Sequence, residues 1–144
     1  MTLEIEHLSG GYGQLTVLND VSFTVPDGHL TALVGLNGSG KSTTINHIIG
    51  LLAPKQGSIV LNGVTLQTQP EAFKRQIAYI PEQPVLYDEL TLREHLALTI
   101  SVYQLDEKMA WQRAEELLTT FRLDNKLDWF PTHFSKGMRQ KAMI

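Results

Sequence analysis

The chain begins with residues that alternate between apolar and polar, which is the period of half-buried strands. The apolar members of this pattern are Leu3, Ile5, Val21, Phe23 and Val25. The next segment, LTALVG at 30–35, is apolar almost throughout. Such a run is typical of a strand that is covered on both faces of a parallel sheet. The pattern therefore predicts antiparallel strands followed by one buried parallel strand.

Behind this run the apolar residues take up a helical period. They stand at i, i+3, i+4 and i+7, and are Ile45, Ile48, Ile49 and Leu52. The pair Ala53-Pro54 is expected to end this helix, because proline cannot continue it. Residues 58–66 alternate around Asn62-Gly63, a hairpin signal, and IAYI at 77–80 predicts another short strand.

The last third of the chain has a helical period throughout. Thr91 and Glu94 form a capping-box pattern, and a helical face follows with Leu92, Leu96, Ile100 and Tyr103. A second helix is predicted after Asp106, with a stripe of Ala110, Ala114, Leu117, Leu118 and Phe121 that ends near Asp124-Asn125. The sequence thus predicts an α/β protein with a β-rich part over residues 1–87 and a helical part over 88–144.

Composition narrows the possible functions. Hydrophobic residues make up 42% and charged residues 19% of the 144 positions, as in ordinary globular domains. The formal net charge is −3 and the basic residues are scattered, so no nucleic-acid partner is expected. The absence of cysteine excludes disulfides and thiolate metal sites. The longest apolar run, at 48–53, is far shorter than the roughly 20 residues of a membrane helix, so a partner would have to supply any membrane contact.

The segment GLNGSGKST at 35–43 matches the phosphate-binding P-loop pattern G-x-x-x-x-G-K-[ST]. Its glycines let consecutive backbone N–H groups point at phosphate oxygens, and the following helix adds positive partial charge. Lys41 would reach the β- and γ-phosphates, and the Ser42 hydroxyl would hold Mg²⁺. A strand predicted before the loop and a helix predicted after it favour this function over a chance match. The candidate phosphate-binding residues are Gly35, Leu36, Asn37, Gly38, Ser39, Gly40, Lys41, Ser42 and Thr43.

Two other segments imitate nucleotide-binding motifs. Residues 125–128 read N-K-L-D, the pattern by which GTP-binding proteins read guanine. However, this segment follows a predicted helix where an apolar strand is required, and no D-x-x-G occurs in the chain. VLYDE at 85–89 resembles a strand that ends in carboxylates, but it is short and leads directly into the cap at Thr91. We interpret both matches as chance.

Four features follow one another in a specific order. They are GGYGQLTVLNDVSFTV with Tyr12, the P-loop followed by GLLAPKQGSIVLNG, then IAYIPEQP before LTLREHL, and FSKGM at 134–138. This order resembles the ATP-binding subunits of ABC transporters over all 144 residues. Two segments are most similar to the ATPases of Ecs-type transporters, namely YIPEQPVLYDELTLREHL and WFPTHFSKGMRQKAMI. The resemblance implies the ABC type of P-loop NTPase fold, with an antiparallel β subdomain and a helical subdomain.

The resemblance also implies roles for residues outside the P-loop. Tyr12 would stack on adenine. The family's Q-loop glutamine falls on Glu82, with Gln83 one residue later, so this chain departs from the family pattern. Either residue could contact Mg²⁺ or its water. The helical region after this loop is similar to the subdomain that grips an integral membrane subunit.

FSKGM stands where the family signature is usually written LSGGQ. Ser135 has the pattern of an N-cap, so the amides after it open a helix that could bind an anion. In the family the signature of one subunit closes over the γ-phosphate held by the other, in a head-to-tail homodimer or heterodimer. Lys136 and Met138 differ from the usual signature sequence, whereas Gly137 matches it. The resemblance thus implies that Ser135, Lys136 and Gly137 contact nucleotide.

The parent protein is expected to be a cytoplasmic ATPase on the inner face of the cell membrane that drives transport with Mg²⁺ and ATP. Residues 1–144 are expected to be the front part of the domain, truncated within the signature helix. They would lack the family's Walker B carboxylates and switch histidine, so no catalytic residue is expected here and the chain should bind ATP without hydrolysing it. The alternatives are a nucleotide-dependent dimerisation module and a soluble ABC-family protein without a transport role.

Overall fold

A computed structural model describes all residues from Met1 to Ile144. The chain forms two units, Met1–Tyr79 and Ile80–Ile144. The first unit contains a sheet of strands β1 (Leu3–Tyr12), β2 (Leu15–Val25), β3 (Gln56–Leu61) and β4 (Val64–Thr65), and helices α1 (Lys41–Ile48) and α2 (Pro70–Lys74). The strand order is β2-β1-β3-β4, and every neighbouring pair is antiparallel.

Both predicted antiparallel features of the front segment are confirmed. β1 pairs with β2 through a tight hairpin in which Tyr12 lies opposite Leu15. β3 and β4 are joined by Asn62-Gly63, and both turn residues have positive φ angles, of 51° and 77°. Asparagine and glycine tolerate this left-handed conformation better than other residues, and it gives a two-residue turn the twist that suits the strands.

The core of the first unit lies against one face of the sheet. Its buried members are Ile5, Leu8, Leu18, Ile59, Leu61, Leu66 and Phe73. Alternation explains the pair Ile59 and Leu61, because every second residue of a strand points to the same face, whereas a register shift separates Ile5 from Leu8. Phe73 comes from α2, a helix that the sequence pattern did not predict, and its side chain is fully buried. α2 therefore covers the sheet with one large aromatic residue.

The predicted strands at 30–35 and 77–80 are wrong in this structure. Neither segment is a strand, and Leu30 is 100% and Val34 88% exposed. A strand is defined by hydrogen bonds to a neighbour, and no segment of the chain pairs with either run. Their apolar composition predicted burial, but composition does not specify a neighbouring strand to which the segment can hydrogen-bond. Both runs instead border a pocket that is also lined by Ile45, Ile48 and Ile49.

The helix after the P-loop is shorter than its apolar stripe predicts. α1 ends at Ile48, and Gly50 has a positive φ of 77°. A glycine in this conformation is a common helix terminator, because it turns the chain away while satisfying the last carbonyl groups. The stop therefore comes at this glycine and before Pro54, so Leu52 lies outside the helix.

The second unit is helical, as predicted. It contains α3 (Leu92–Tyr103), α4 (Glu107–Phe121) and α5 (Lys136–Met143), with single 3₁₀ turns at Asp124–Lys126 and Pro131–His133. Both hydrogen bonds of the predicted capping box between Thr91 and Glu94 are present, and Asp106 accepts a bond of 2.8 Å from the Met109 amide. Leu92, Leu118, Leu123 and Phe134 form the core of this unit. No helix of the protein combines the length and apolarity that crossing a bilayer requires.

The N-K-L-D segment has a structural role in this unit. It lies at a 3₁₀ turn after α4, and the Asp128 carboxylate accepts a hydrogen bond of 2.8 Å from Arg93 Nε. The pKa of Asp128 is lowered by this bond to the guanidinium. In this structure the carboxylate that would read guanine is paired with α3, which agrees with a chance match. VLYDE at 85–89 forms no strand.

An exposed pair in the first unit predicts a pH-dependent stability. His7 Nδ1 lies 2.6 Å from Asp20 Oδ1, and both residues have positive φ angles at an irregular part of the β1–β2 ladder. The hydrogen bond to Asp20 raises the pKa of His7 above its ordinary value of 6.5, helped by the charges of Asp20 and Glu6. A group whose pKa is raised by folding stabilises the folded state fully at pH values below its pKa in the unfolded chain. This stabilisation is lost as the pH rises through its pKa in the folded protein.

We therefore expect Asp20→Asn to lower the urea midpoint more at about pH 5.5 than at about pH 9. Asp20 and Glu6 are the two charged residues that raise the pKa of His7. Asp20→Asn removes the charge of the first and leaves that of Glu6 in place. In a His7→Ala background the pH dependence of the Asp20→Asn effect should vanish. An equal effect at both pH values in the wild-type background would contradict the assignment.

Candidate nucleotide site

The predicted phosphate-binding loop leads directly into α1. Gly40 is the N-cap of this helix and has a φ of 91°, in the left-handed region that favours glycine. A Cβ atom at Gly40 would lie 2.8 Å from Cδ2 of Leu18, a core residue of β2. Both the backbone conformation and the available space therefore require glycine at this position. This packing brings the start of α1 close to the sheet core.

The first amides of α1 are free to bind an anion. Neither a backbone carbonyl nor a side chain accepts a hydrogen bond from the amides of Gly40, Lys41 or Ser42. The Thr44 amide, two residues after Ser42, is bound to the Gly40 carbonyl at 2.8 Å. The first turn also has no acidic residue. Free donors at a helix N-terminus attract negative charge, so this arrangement fits a phosphate group.

The Lys41 ammonium is held inside the loop. Its Nζ donates hydrogen bonds of 2.8 Å to the carbonyls of both Gly35 and Leu36. The Ser39 amide bonds to the Leu36 carbonyl at 3.2 Å, which closes the loop further. These acceptors are exposed, so a bound phosphate could compete for the ammonium without a change of fold. The loop thus carries one positive charge beside the free amides.

The other predicted residues of the loop differ in their exposure. Leu36, Asn37, Gly38, Ser39 and Ser42 are exposed, as a contact with a ligand requires. Thr43 is buried, so its side chain faces the protein. Gly38 has a φ of 83° and nothing within 4 Å of a Cβ position, so its backbone conformation alone accounts for glycine. The Ser42 hydroxyl has no hydrogen-bond partner in the chain and could serve as an oxygen ligand for Mg²⁺.

Tyr12 is the last residue of β1, and its side chain is 49% exposed. Its hydroxyl accepts a hydrogen bond of 3.3 Å from Nδ2 of Asn46, a residue of α1. The ammonium of Lys55 donates to the Gln14 carbonyl at 3.2 Å and to Thr16 Oγ1 at 3.1 Å, in the same hairpin. Sequence reasoning missed Asn46 and Lys55, because each contacts a residue more than thirty positions away and no local pattern signals such a pair.

The remaining predicted site residues lie in the second unit. Glu82 and Gln83 form an exposed bend without hydrogen bonds from their side chains. Ser135 is the N-cap of α5, as predicted, and its Oγ accepts a hydrogen bond of 3.3 Å from the Met138 amide. Lys136 and Gly137 open the helix and are exposed, and the first turn has no acidic residue.

The predicted site residues are divided between the two units, and a contact links two parts of the site in the first unit only. In Met1–Tyr79 these are the P-loop residues and Tyr12, which α1 connects. Ile80–Ile144 contains the bend at 82–83 and the start of α5. The first group includes donors, a cation, a hydroxyl and an aromatic ring, which are the chemical groups that a nucleotide triphosphate needs.

Comparison with known proteins agrees with this geometry. The family model described as ABC transporter matches residues 18–144. The ABC-type transporter ATP-binding protein EcsA of Bacillus subtilis (strain 168) is 54% identical over 99% of this chain. The sulfate/thiosulfate import ATP-binding protein CysA of Synechocystis sp. (strain ATCC 27184 / PCC 6803 / Kazusa) is 35% identical over the whole chain. The chain covers 58% of EcsA and 40% of CysA.

A solved structure described as the ATP-binding subunit of an ABC transporter has the same fold. It superposes on 99% of this chain with a TM-score of 0.93 and 55% identity, and the chain covers 60% of it. The predicted α/β fold of the ABC type of P-loop NTPase is thereby confirmed, and so is the similarity to the Ecs type. Since the family match extends over most of the residues, the chain belongs to the ABC transporter family.

Proposed function

We propose that this chain binds Mg-ATP as the nucleotide-binding part of a transporter's ATP-binding subunit. The observation that carries this proposal is the group of free amides at Gly40, Lys41 and Ser42 beside the exposed ammonium of Lys41. The names of EcsA and CysA, both ATP-binding proteins of transporters, support the same function. The P-loop would hold the β- and γ-phosphates, and Tyr12 would stack on the adenine.

We infer that the Ser42 hydroxyl is a ligand of Mg²⁺, and that Gln83, with Glu82 beside it, is a separate candidate for a metal contact. The exposed Ser42 oxygen supports this role, because Mg²⁺ prefers oxygen ligands and keeps several waters. Gln83 supplies a neutral amide oxygen and Glu82 a carboxylate, and both side chains are free of other partners. We further infer that residues 1–87 form the nucleotide-binding portion and residues 88–144 the helical subdomain that carries the signature.

In the parent protein we expect two ATP-binding subunits, identical or different, to pair head to tail. The exposed, acid-free start of α5 supports this expectation, because the residues Ser135, Lys136 and Gly137 would offer a second anion-binding helix end. ATP hydrolysis would then drive transport through a separate integral membrane subunit, a role that the names of the ATP-binding relatives EcsA and CysA support. Such a subunit works in the cytoplasm, against the inner face of the cell membrane.

Residues 1–144 alone are expected to bind Mg-ATP without turning it over. Phosphoryl transfer needs an oriented water and compensation of developing charge, and these positioning effects supply most of the rate. The loop at 35–43 contains donors and hydroxyls but no carboxylate that could orient the water. Glu82 and Glu89 are the candidate substitutes for such a carboxylate, and both are exposed in the other unit.

The test measures fluorescent ATP binding and steady-state phosphate release by a purified polypeptide of residues 1–144. Binding should be weak and should require Lys41, because the Lys41→Ala variant loses the ammonium. Phosphate release should equal that of the Lys41→Ala variant, which controls for contaminating ATPases. Turnover well above that control would overturn the inference that the polypeptide is inactive, and absence of Lys41-dependent binding would overturn the proposed function.

A further inference from the structure

The aromatic ring that is expected to receive the base is poorly fixed by packing. Tyr12 ends β1 at the hairpin, and about half of its side chain is exposed. An exposed ring can rotate among several rotamers, and ordering it on ligand binding costs free energy. A group that holds the ring in place before binding would therefore favour the nucleotide. The hydroxyl is the only group of the Tyr12 side chain that can form a hydrogen bond.

Asn46 holds that hydroxyl from α1. Its Nδ2 atom donates a hydrogen bond of 3.3 Å to the Tyr12 hydroxyl. The same helix offers the free amides of Lys41 and Ser42 at its N-terminus. One rigid helix therefore carries both the phosphate-binding donors and the contact to the aromatic ring. A nucleotide that spans these two features needs a fixed distance between them.

The residue next to Asn46 fixes α1 against β1. His47 is fully buried, and its Nδ1 lies 3.0 Å from the Leu52 carbonyl oxygen. Its ring packs directly on Gly10, where a Cβ atom would lie 2.5 Å from the ring atoms Cε1 and Nε2. Such close packing leaves the helix little freedom to slide along the strand. Asn46 therefore meets Tyr12 from a defined position.

The hairpin that carries Tyr12 is also held by Lys55. Lys55 bonds to Gln14 and Thr16 within the turn region. A Cβ atom at Gly11 would lie 2.2 Å from the Leu15 carbonyl oxygen, so the two strands approach closely just before the turn. The backbone of Tyr12 is thus held by the hairpin. The Tyr12 side chain can still rotate about its own torsion angles, and the hydrogen bond from the Asn46 amide restricts this rotation.

We propose that Asn46 is a positioning residue for the base of the bound nucleotide. Its amide holds the Tyr12 ring at a set distance from the phosphate-binding amides of α1, so that base and triphosphate can be bound together. This inference rests on the proposed nucleotide-binding function. It concerns only ligands that have a base, because the phosphate donors themselves do not touch Asn46.

The experiment measures the affinity of the full-length protein for Mg-ATP and for Mg-tripolyphosphate, which has no base, by titration calorimetry. Asn46→Ala should weaken ATP binding roughly threefold to tenfold, the range expected for one net hydrogen bond. Its affinity for tripolyphosphate should remain unchanged. Tyr12→Phe removes the hydroxyl and should cause a similar loss for ATP only. The double variant should lose no more than either single variant, because both changes break the same contact.

Asn125→Ala is the matched control, since that asparagine is exposed, makes no side-chain hydrogen bond and lies in the other unit. It should change neither affinity. If Asn46→Ala lowered the affinities for ATP and for tripolyphosphate equally, the proposal would be overturned, because this would show that Asn46 only stabilises α1. An unchanged ATP affinity, or additive losses in the double variant, would also overturn it. If Lys41→Ala left both affinities intact, the proposed nucleotide function itself would fail, which is a distinct result.

Discussion

Replacing Lys41 with alanine is expected to lower the ATP affinity of the full-length protein at least about tenfold while the fold remains intact. Charge-assisted hydrogen bonds contribute on the order of 1.5–3 kcal/mol each, and about 1.4 kcal/mol corresponds to a factor of ten. The ammonium bonds to the loop carbonyls of Gly35 and Leu36 and contributes nothing to the apolar core. Calorimetric titration with Mg-ATP measures the loss, and circular dichroism checks the fold.

Lys108→Ala provides a matched control for this prediction. Lys108 is also a lysine in the first turn of a helix, but it lies at the start of α4 and its side chain makes no hydrogen bond or salt bridge. Its removal changes the net charge by the same amount and should leave ATP affinity unchanged. If the Lys41 variant bound ATP as tightly as the Lys108 variant, the assignment of the loop to phosphate binding would be wrong.

The features that could be predicted from sequence depend on a few neighbouring residues. The caps at Thr91, Asp106 and Ser135 each need one side chain and one amide three residues later, so they are visible in a short window. The Asn62-Gly63 turn is another local device. The P-loop belongs to the same class, because its glycines and its helix N-terminus are contiguous. Local chemistry therefore sufficed to locate the centre of the candidate site.

The features that could not be predicted depend on residues distant in sequence. The apolar run at 30–35 has the composition of a strand, but a strand also needs a paired neighbour that composition cannot specify. Asn46 reaches Tyr12 across 34 positions, and His47 packs on Gly10 across a similar distance. These contacts exist only once α1 has docked on β1. The part of the site that would set nucleotide geometry was therefore invisible in the sequence pattern.

Replacing Phe73 with alanine is expected to reduce the free energy of unfolding of the first unit by about 3–5 kcal/mol, the usual cost of truncating a buried phenylalanine. Its side chain is fully buried and belongs to the apolar core under the sheet. Urea unfolding, followed by a probe in residues 1–79, measures the change. Phe130→Ala is the control, because Phe130 is 39% exposed in the other unit and should cost much less. Equal losses would contradict the assigned core.

Ligand-induced stabilisation separates this loss from the loss caused by Lys41→Ala. ATP at about 100 times its dissociation constant stabilises a folded protein by roughly 2.7 kcal/mol, provided that it does not bind the unfolded chain. Phe73 contributes no donor to the loop, so the Phe73→Ala variant should keep this shift under conditions where it is folded. Lys41→Ala should start from nearly wild-type stability and lose about half of the shift or more at the same ATP concentration. A Phe73 variant that is folded but gains no stability from ATP would show that the sheet core controls the loop, through the contact of Leu18 with Gly40.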